Sequence, residues 1–389
     1  MFGWMKAEFQ TISGSYAIIL VLMGGIFIYG FLYNYMYQPN VVRDAPIAVV
    51  DNSKTPMSRE FIKMLNATPQ VNVLTDGVDF AGAKRLMKEK SVVGILLIQA
   101  NFEKKINQGE EAMTLMYETS TVFLYYLAMQ KAASFAMMTF NDQIRPDQLA
   151  FLPADDAPAM AQAQSPVSVI GSALYNYTEG YGTYLIPAVL MIIIFQTLMM
   201  VISMISGQER HSGSILKYEE ASRTFRGMGE VIISKTLLYV GLYALFSLFL
   251  LGLIPLIFDL PHIGRPLVII QLMIPYLLAT SFFGLAASVF FTDQDGPLVM
   301  IAFFSVGLLF LSGVSYPLEL MPWYWKMAHF IFPAAPATLA FVKVNSMGAG
   351  IPEISVEYST LWIQCAIYFL LACMAYRHNI KKQLNALSQ

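Results

Sequence analysis

The chain has 389 residues, 56% of them hydrophobic and only 13% charged, with a formal net charge of −2 and a mean hydropathy of +0.55. A soluble domain carries about 25% charged residues, so an ordinary globular protein is excluded, and nothing in the charge balance favours nucleic acid. No Asp, Glu, Lys or Arg lies between Glu8 and Arg43, Glu179 and Glu209, Lys235 and Asp259, Arg265 and Asp293, Asp295 and Glu319, or Glu357 and Arg377. A charge at the centre of a spanning helix costs roughly 2.5–3.5 kcal/mol, and a span takes about 20 apolar residues. Six windows meet that requirement, so the chain reads as a polytopic α-helical membrane protein with six transmembrane helices.

In chain order, a short amphipathic lead (1–14) precedes the first span (15–37), whose apolar run covers Tyr16 to Met36. That run is too long for a signal-peptide core, and Tyr-rich sequence follows it where a small-residue cleavage site would stand, so it reads as a retained anchor. Residues 38–180 form a hydrophilic insert with α/β patterning. Pro46 to Asp51 is a short apolar run ending in turn chemistry, which predicts a buried strand. Ser58–Leu65 has helical spacing, Val71–Leu74 predicts a second strand, Ala81–Lys90 a second helix and Val92–Ile98 a third strand. Strands alternating with helices imply a small open sheet. Thr119 to Phe140 predicts a long helix returning toward the membrane, and the Pro- and Ala-rich stretch 153–166 a linker.

Five further spans are expected near 183–206, 234–257, 268–291, 298–315 and 359–376, within a membrane domain of 181–380. Pro187, Pro255 and Pro275 fall in or near these runs, where neighbouring helices re-satisfy the freed backbone groups. The segment 316–356 is apolar and aromatic but broken by Pro317, Pro322, Pro333, Pro336 and Pro352. It predicts short re-entrant or interfacial helices on the outer face, with Trp323, Tyr324 and Trp325 at headgroup depth. Residues 381–389 are a tail.

Orientation follows from Lys and Arg in the short loops. With the N-terminus inside, Lys6, Arg210, Lys217, Arg223, Arg226, Lys235, Arg377, Lys381 and Lys382 are cytoplasmic, against Arg265, Lys326 and Lys343 outside. Nine against three predicts cytoplasmic termini and an extracytoplasmic insert.

Catalytic patterns are missing. No G-x-x-x-x-G-K-[ST] loop for ATP phosphates and no G-x-S-x-G elbow occurs. His211, His262, His329 and His378 lie in four separate segments and form no H-x-x-x-H pair. The spans lack the acids expected of a proton relay. No enzyme activity, metal or cofactor is expected in this chain, and transport would draw its energy from elsewhere. Cys365 and Cys373, eight residues apart on one helix, are separated by roughly 12 Å and cannot bridge.

Two segments carry a family likeness. Glu209-Arg210-His211-Ser212-Gly213-Ser214-Ile215-Leu216, followed by Gly229-Glu230-Val231-Ile232-Ile233-Ser234-Lys235, resembles the E-R-x-x-G-[TS]-[LI] and G-[ED]-[IV]-[IL]-x-x-K stretches of type-two ABC exporter permeases, including their multidrug and lipid efflux branch. Leu311 to Pro322, with Gly313, Pro317, Met321 and Pro322 at its fixed points, resembles their outer L-S-G-x-x-x-P-x-x-x-M-P signature. The insert also looks like the extracytoplasmic domain of that branch. Tyr218 to Arg226 departs from the pattern, being charged and without the usual proline.

The resemblance implies the permease subunit of an inner-membrane exporter that moves an amphipathic or hydrophobic substrate outward. It implies cytoplasmic ABC ATPase subunits holding ATP and Mg, and a second permease copy or paralogue, and it leaves room for a periplasmic adaptor. It makes 207–230 a coupling loop through Glu209, Arg210, Gly213, Ser214, Ile215, Leu216, Tyr218 and Glu230. Gly213 allows a turn and Ser214 can cap a following helix, while Ile215, Leu216 and Tyr218 would form an apolar knob with Glu209, Arg210, Glu219 and Glu220 as its rim. The plain alternative is a solvated loop whose basic residues only fix topology. Tyr29, Tyr33 and Tyr37 make one stripe that reads either as a substrate path or as an aromatic belt. Gln196 and Gln271 read as substrate ligands or interhelical hydrogen-bond partners, and Met199 and Met200 as an adaptable surface or core. A non-transporting scaffold or signalling protein, whose ectodomain binds a partner, is the rival from another class.

Overall fold

The computed structural model describes residues 2–37, 41–108, 110–118, 123–150, 180–291 and 296–387. They fall into two compact units, one of Met1–Asn40 with Ala173–Gln389, the other of Val41–Ser172.

The smaller unit is a four-stranded sheet in the order β2-β1-β3-β4, with β1 Ala45–Asp51, β2 Val71–Asp76, β3 Gly94–Ile98 and β4 Thr114–Glu118. The first three strands are parallel and β4 is antiparallel to β3. Successive residues of a strand face opposite sides, and β1 uses both. Ile47 and Val49 pack with Phe61 and Leu65 of α3 (Pro56–Asn66), whereas Ala48 and Val50 pack with Ala83 of α4 (Phe80–Lys88). A β-strand buried on both faces reads as a continuous apolar run, which is why Pro46 to Val50 was legible. The start of α3 is fixed by a capping box between Thr55 and Ser58, with Pro56 in the first turn, and Ser58 also donates to Asp51 Oδ2 at 2.6 Å.

Two elements of this unit were not expected: α5 (Phe102–Asn107) and β4. The predicted return helix is α6, Phe123–Ala150, which runs further than the pattern suggested. It buries Met129 so closely over the sheet that a Cβ on Gly94 would lie 2.0 Å from the Met129 methyl. The expected linker 153–166 and residues 119–122 lie outside the described residues.

The larger unit is helical. After α1 (Phe2–Gly14) come α2 (Tyr16–Met36), α7 (Tyr181–His211), α8 (Phe225–Ile257), α9 (Pro266–Phe290), α10 (Gly296–Leu311), α11 (Trp323–His329), α12 (Ala334–Met347) and α13 (Ser355–Leu387). Among the described residues five helices are long and apolar enough to cross a membrane, or six if the bent pair α11–α12 counts as one span. Where the fifth span is expected, the described part of α10 has 16 residues, about 24 Å of helix, against a hydrocarbon core of about 30 Å. α7 is apolar all round and almost wholly buried, the mark of a helix surrounded by others. It packs against α2, α9, α10 and α12.

The Leu311–Pro322 motif forms a stapled corner. Gly313, at φ +83°, ends α10, and Pro317 and Pro322 flank the short turn Leu318–Leu320, with Met321 half-buried. α11 and α12 meet at 83°. Trp323, Tyr324 and Trp325 are exposed, while His329 Nδ1 donates to the Leu311 carbonyl at 2.8 Å and Gln364 to that of Phe330 at 2.8 Å. Cys365 and Cys373 are both buried and unbridged.

Candidate functional site

The chain leaving α7 turns at Gly213, whose φ of +69° places it in the left-handed region that glycine tolerates. A tight turn Ser214–Tyr218 and a short helix Glu219–Ser222 follow, and Thr224 then caps α8 by accepting from the Gly227 amide at 3.1 Å.

Beneath this loop lies a buried charge cluster. Lys235 of α8 is 0% exposed, and its ammonium donates to Glu209 Oε2 of α7 at 2.8 Å and to Glu8 Oε2 of α1 at 2.7 Å. Tyr218 donates to Glu209 Oε1 at 2.9 Å, Lys217 pairs with the same oxygen at 2.9 Å, and Tyr239 donates to Glu8. The Lys235 ammonium also stands 5.3 Å from the Tyr218 ring and 5.8 Å from the Tyr376 ring, within cation–π range. Trp4 of α1 packs on Tyr218 with ring centroids 5.0 Å apart. Two carboxylates therefore face two ammonium groups, and the acidic oxygens are met by further donors, the condition under which buried ion pairs are tolerated.

Burial raises the Glu8 carboxyl above its usual range, with Lys235 opposing that shift. Burial likewise pushes the Tyr218 hydroxyl up, so it remains a donor to Glu209. The groups are locked in mutual pairs, and the arrangement is mechanical: it fastens α1, α7, α8 and the loop to one another. The last helix adds further ties, among them Arg377 to the Ser222 carbonyl at 2.9 Å and Gln383 to that of Arg210 at 3.0 Å. Arg210 itself donates to the carbonyls of Ser288 and Val289 at the end of α9, the latter at 2.8 Å.

The expected outward knob is corrected by this geometry. Ile215 is 2% exposed and Tyr218 is fully buried, both in the core of the helical unit, because the turn after Gly213 folds its apolar side chains back onto the helices. Glu209 is not rim but the centre of the cluster. Leu216 is half-buried and Ser214 exposed. What faces outward is the second half of the loop: Glu220, Arg223, Thr224, Phe225, Arg226 and Glu230, with Phe225 43% exposed. The pairs Arg223–Glu219 at 3.2 Å and Arg226–Glu230 at 3.6 Å lie on that surface.

Glu8, Lys235, Tyr239, Trp4 and Tyr376 were missed as site residues. Lys235 was read as one of nine topology-fixing cations, yet it is buried. The signal was a single acid in the lead, and single charges closing two apolar runs, with no pattern to say they meet.

The proposed path residues are not gathered in one place. Tyr29 and Tyr33 stack on each other at 5.9 Å and Tyr37 packs on Tyr181 at 5.8 Å. Gln196 is half-buried, and Met199 and Met200 are buried. Of these only Met199 lines the apolar hollow of about 710 Å³ walled by α7, α9, α10 and α13. Gln271 is exposed on α9. Among the described residues no three His, Cys, Asp or Glu side chains are placed to hold a metal ion.

Long apolar helices, carrying a loop fastened by a buried ionic cluster, make this a multi-pass membrane protein. Residues 16–374 match the family described as ABC-2 family transporter protein, and the chain belongs to that family of permeases. Such permeases are membrane subunits, not themselves catalytic, and work with an ABC ATPase. Comparison with curated proteins finds no match.

Proposed function

We propose that this permease is the membrane subunit of an ATP-driven exporter that moves an amphipathic or hydrophobic substrate outward. Two copies, or one copy and a paralogue, would work with two cytoplasmic ATPases. The N-terminus, loop and C-terminus lie on the cytoplasmic side in this reading, and the α/β unit lies outside. The nine-to-three bias of basic residues supports that orientation.

The observation that carries the reading is the two-sided loop. Its first half is fastened to α1, α7 and α8 through Glu209 and Lys235, while its second half presents Phe225 among charged residues. A partner pushing on 219–226 would move the helices directly, because the ion pairs allow little slack. Phe225 takes the place of the knob that the sequence suggested for Ile215 and Leu216. Phe225→Asp tests this: the variant inserts and folds normally, and the ATPase no longer co-purifies. Normal co-purification and transport by that variant would reduce the loop to a solvated connector.

A further inference from the structure

We propose that the hollow between α7, α9, α10 and α13 is a binding site for the hydrocarbon tail of an anionic amphiphile. It goes beyond the transport reading, because occupancy needs neither ATP nor movement across the membrane. The walls are built from Phe195, Met199, Phe283, Phe304, Leu371 and Met374, and the recess exists because Ala286, Ala287 and Ala375 stand where larger side chains would fill it. The wall's one phenol, Tyr368, is already committed to the Ile331 carbonyl. A ligand with polar groups along its length would leave them unpaired there, at high cost, and water has no partners to hold it. A hydrocarbon chain fits both demands, and Met199 and Met374 can adjust to it.

Volume admits a long tail. The hollow holds about 710 Å³, inside the usual range for ligand sites, roughly 300–1,000 Å³. At about 30 Å³ per methylene, the share of a liquid water, a tail of about sixteen carbons needs roughly 480 Å³, so the hollow has room for a long hydrocarbon chain.

Charge at one end decides the head group. Among the described residues no acidic side chain lines the hollow, and its one basic lining group is the exposed His378. Lys381 and Lys382 follow at the helical spacings that put side chains on the same face, and both are exposed. A carboxylate or phosphate head at that end meets these cations while the tail lies along Leu371 and Met374. The same end holds Val289, whose carbonyl takes Arg210 from the loop, so an occupied hollow braces the support of the candidate site.

The test uses the full chain in nanodiscs of zwitterionic phosphatidylcholine with a diazirine-bearing palmitate probe. Saturable adducts are expected at Met199, Phe304, Leu371 and Met374, competed by dodecyl phosphate and at least tenfold less well by a dodecyl trimethylammonium salt. Ala287→Trp should reduce labelling about tenfold, and the double change Lys381→Gln with Lys382→Gln several-fold, both in protein of normal elution volume. The competition profile of the unaltered chain needs no variant, so a misfolded variant does not rescue the idea. Labelling that never saturates and falls equally on the exposed Leu248 and Leu256 would reduce the hollow to ordinary lipid contact. Equal or better competition by the cation overturns the anionic head. A cross-link from a cysteine at position 304 to a second copy would make the hollow an interface instead.

Discussion

The two halves of the loop between α7 and α8 have almost opposite characters. Residues 209–218 send their anchors inward, with Ile215, Tyr218 and Glu209 in the core and the acid held by Lys235 and Lys217. Residues 219–226 are mainly outward, with Ser222 buried, and the pairs Arg223–Glu219 and Arg226–Glu230 are solvent-facing. Buried and exposed charges obey different energetics. An exposed pair contributes roughly 0–1 kcal/mol, whereas removing one member of a buried pair costs about 3–5 kcal/mol. The difference separates a half whose charges hold the chain together from a half whose charged side chains face solvent, although Arg377 also ties the latter at the Ser222 carbonyl.

The largest expected effect comes from Lys235→Met. It leaves Glu8 and Glu209 buried without their shared cation, and a loss of about 3–5 kcal/mol is expected, read as a strong fall in thermal midpoint or in the amount of folded chain extracted. Replacing all three members together, with Glu8→Leu, Lys235→Met and Glu209→Leu, should recover much of that loss, since well-packed apolar residues often substitute for a buried ionic group. If the triple change is no better than the single one, the cluster is needed for more than charge balance.

Ile215→Asp comes next. A carboxylate placed in the core without a partner costs several kcal/mol, so this variant should lower the thermal midpoint of the chain itself, before any ATPase is added. A midpoint unchanged by Ile215→Asp would mean that the first half of the loop is as free as the second.

How much of this was legible depends on the range of the interactions. The parallel strands could be read because both faces of β1 are buried and leave a continuous apolar run, Ile47 to Val50. β4 and α5 could not: Thr114 to Glu118 is a short edge strand whose outer residues Leu115 and Tyr117 stay exposed. The loop motif was visible as Glu209 to Leu216, and its turn at Gly213 was anticipated. Its polarity was not, because inward and outward positions on so short a turn have no period to reveal them. Glu8 and Lys235 are 227 residues apart, and nothing local marks one as the other's partner. The hollow was equally hidden, since small residues on α9 and α13 become a recess only when α7 and α10 stand opposite.

The smaller unit offers a milder perturbation. Thr55→Ala removes the side chain that caps α3, and Ser58 loses its reciprocal partner. Loss of such a cap costs about 1 kcal/mol, and hydrogen exchange should detect it as faster opening of the first turn of α3. Asp51 still accepts from Ser58, so the strand end should hold. Exchange that quickens equally through β1 would show that the cap and the sheet edge act as one.

The smallest effect on stability should come from Arg223→Ala and Arg226→Ala. Each side chain is mostly exposed and paired at helical spacing with Glu219 or Glu230, so each change should move stability by no more than about 0.5 kcal/mol. Their charges nevertheless stand beside Phe225, where the proposed ATPase would seat. Losing them should therefore weaken co-purification most at low salt, with the variants and the unaltered chain converging as salt screens the interaction over roughly 10 Å at 0.1 M. A stability loss as large as that of Lys235→Met would erase the distinction between the two halves of the loop. Unchanged stability combined with unchanged, salt-insensitive ATPase binding would keep the distinction but move the partner's seat away from 219–226.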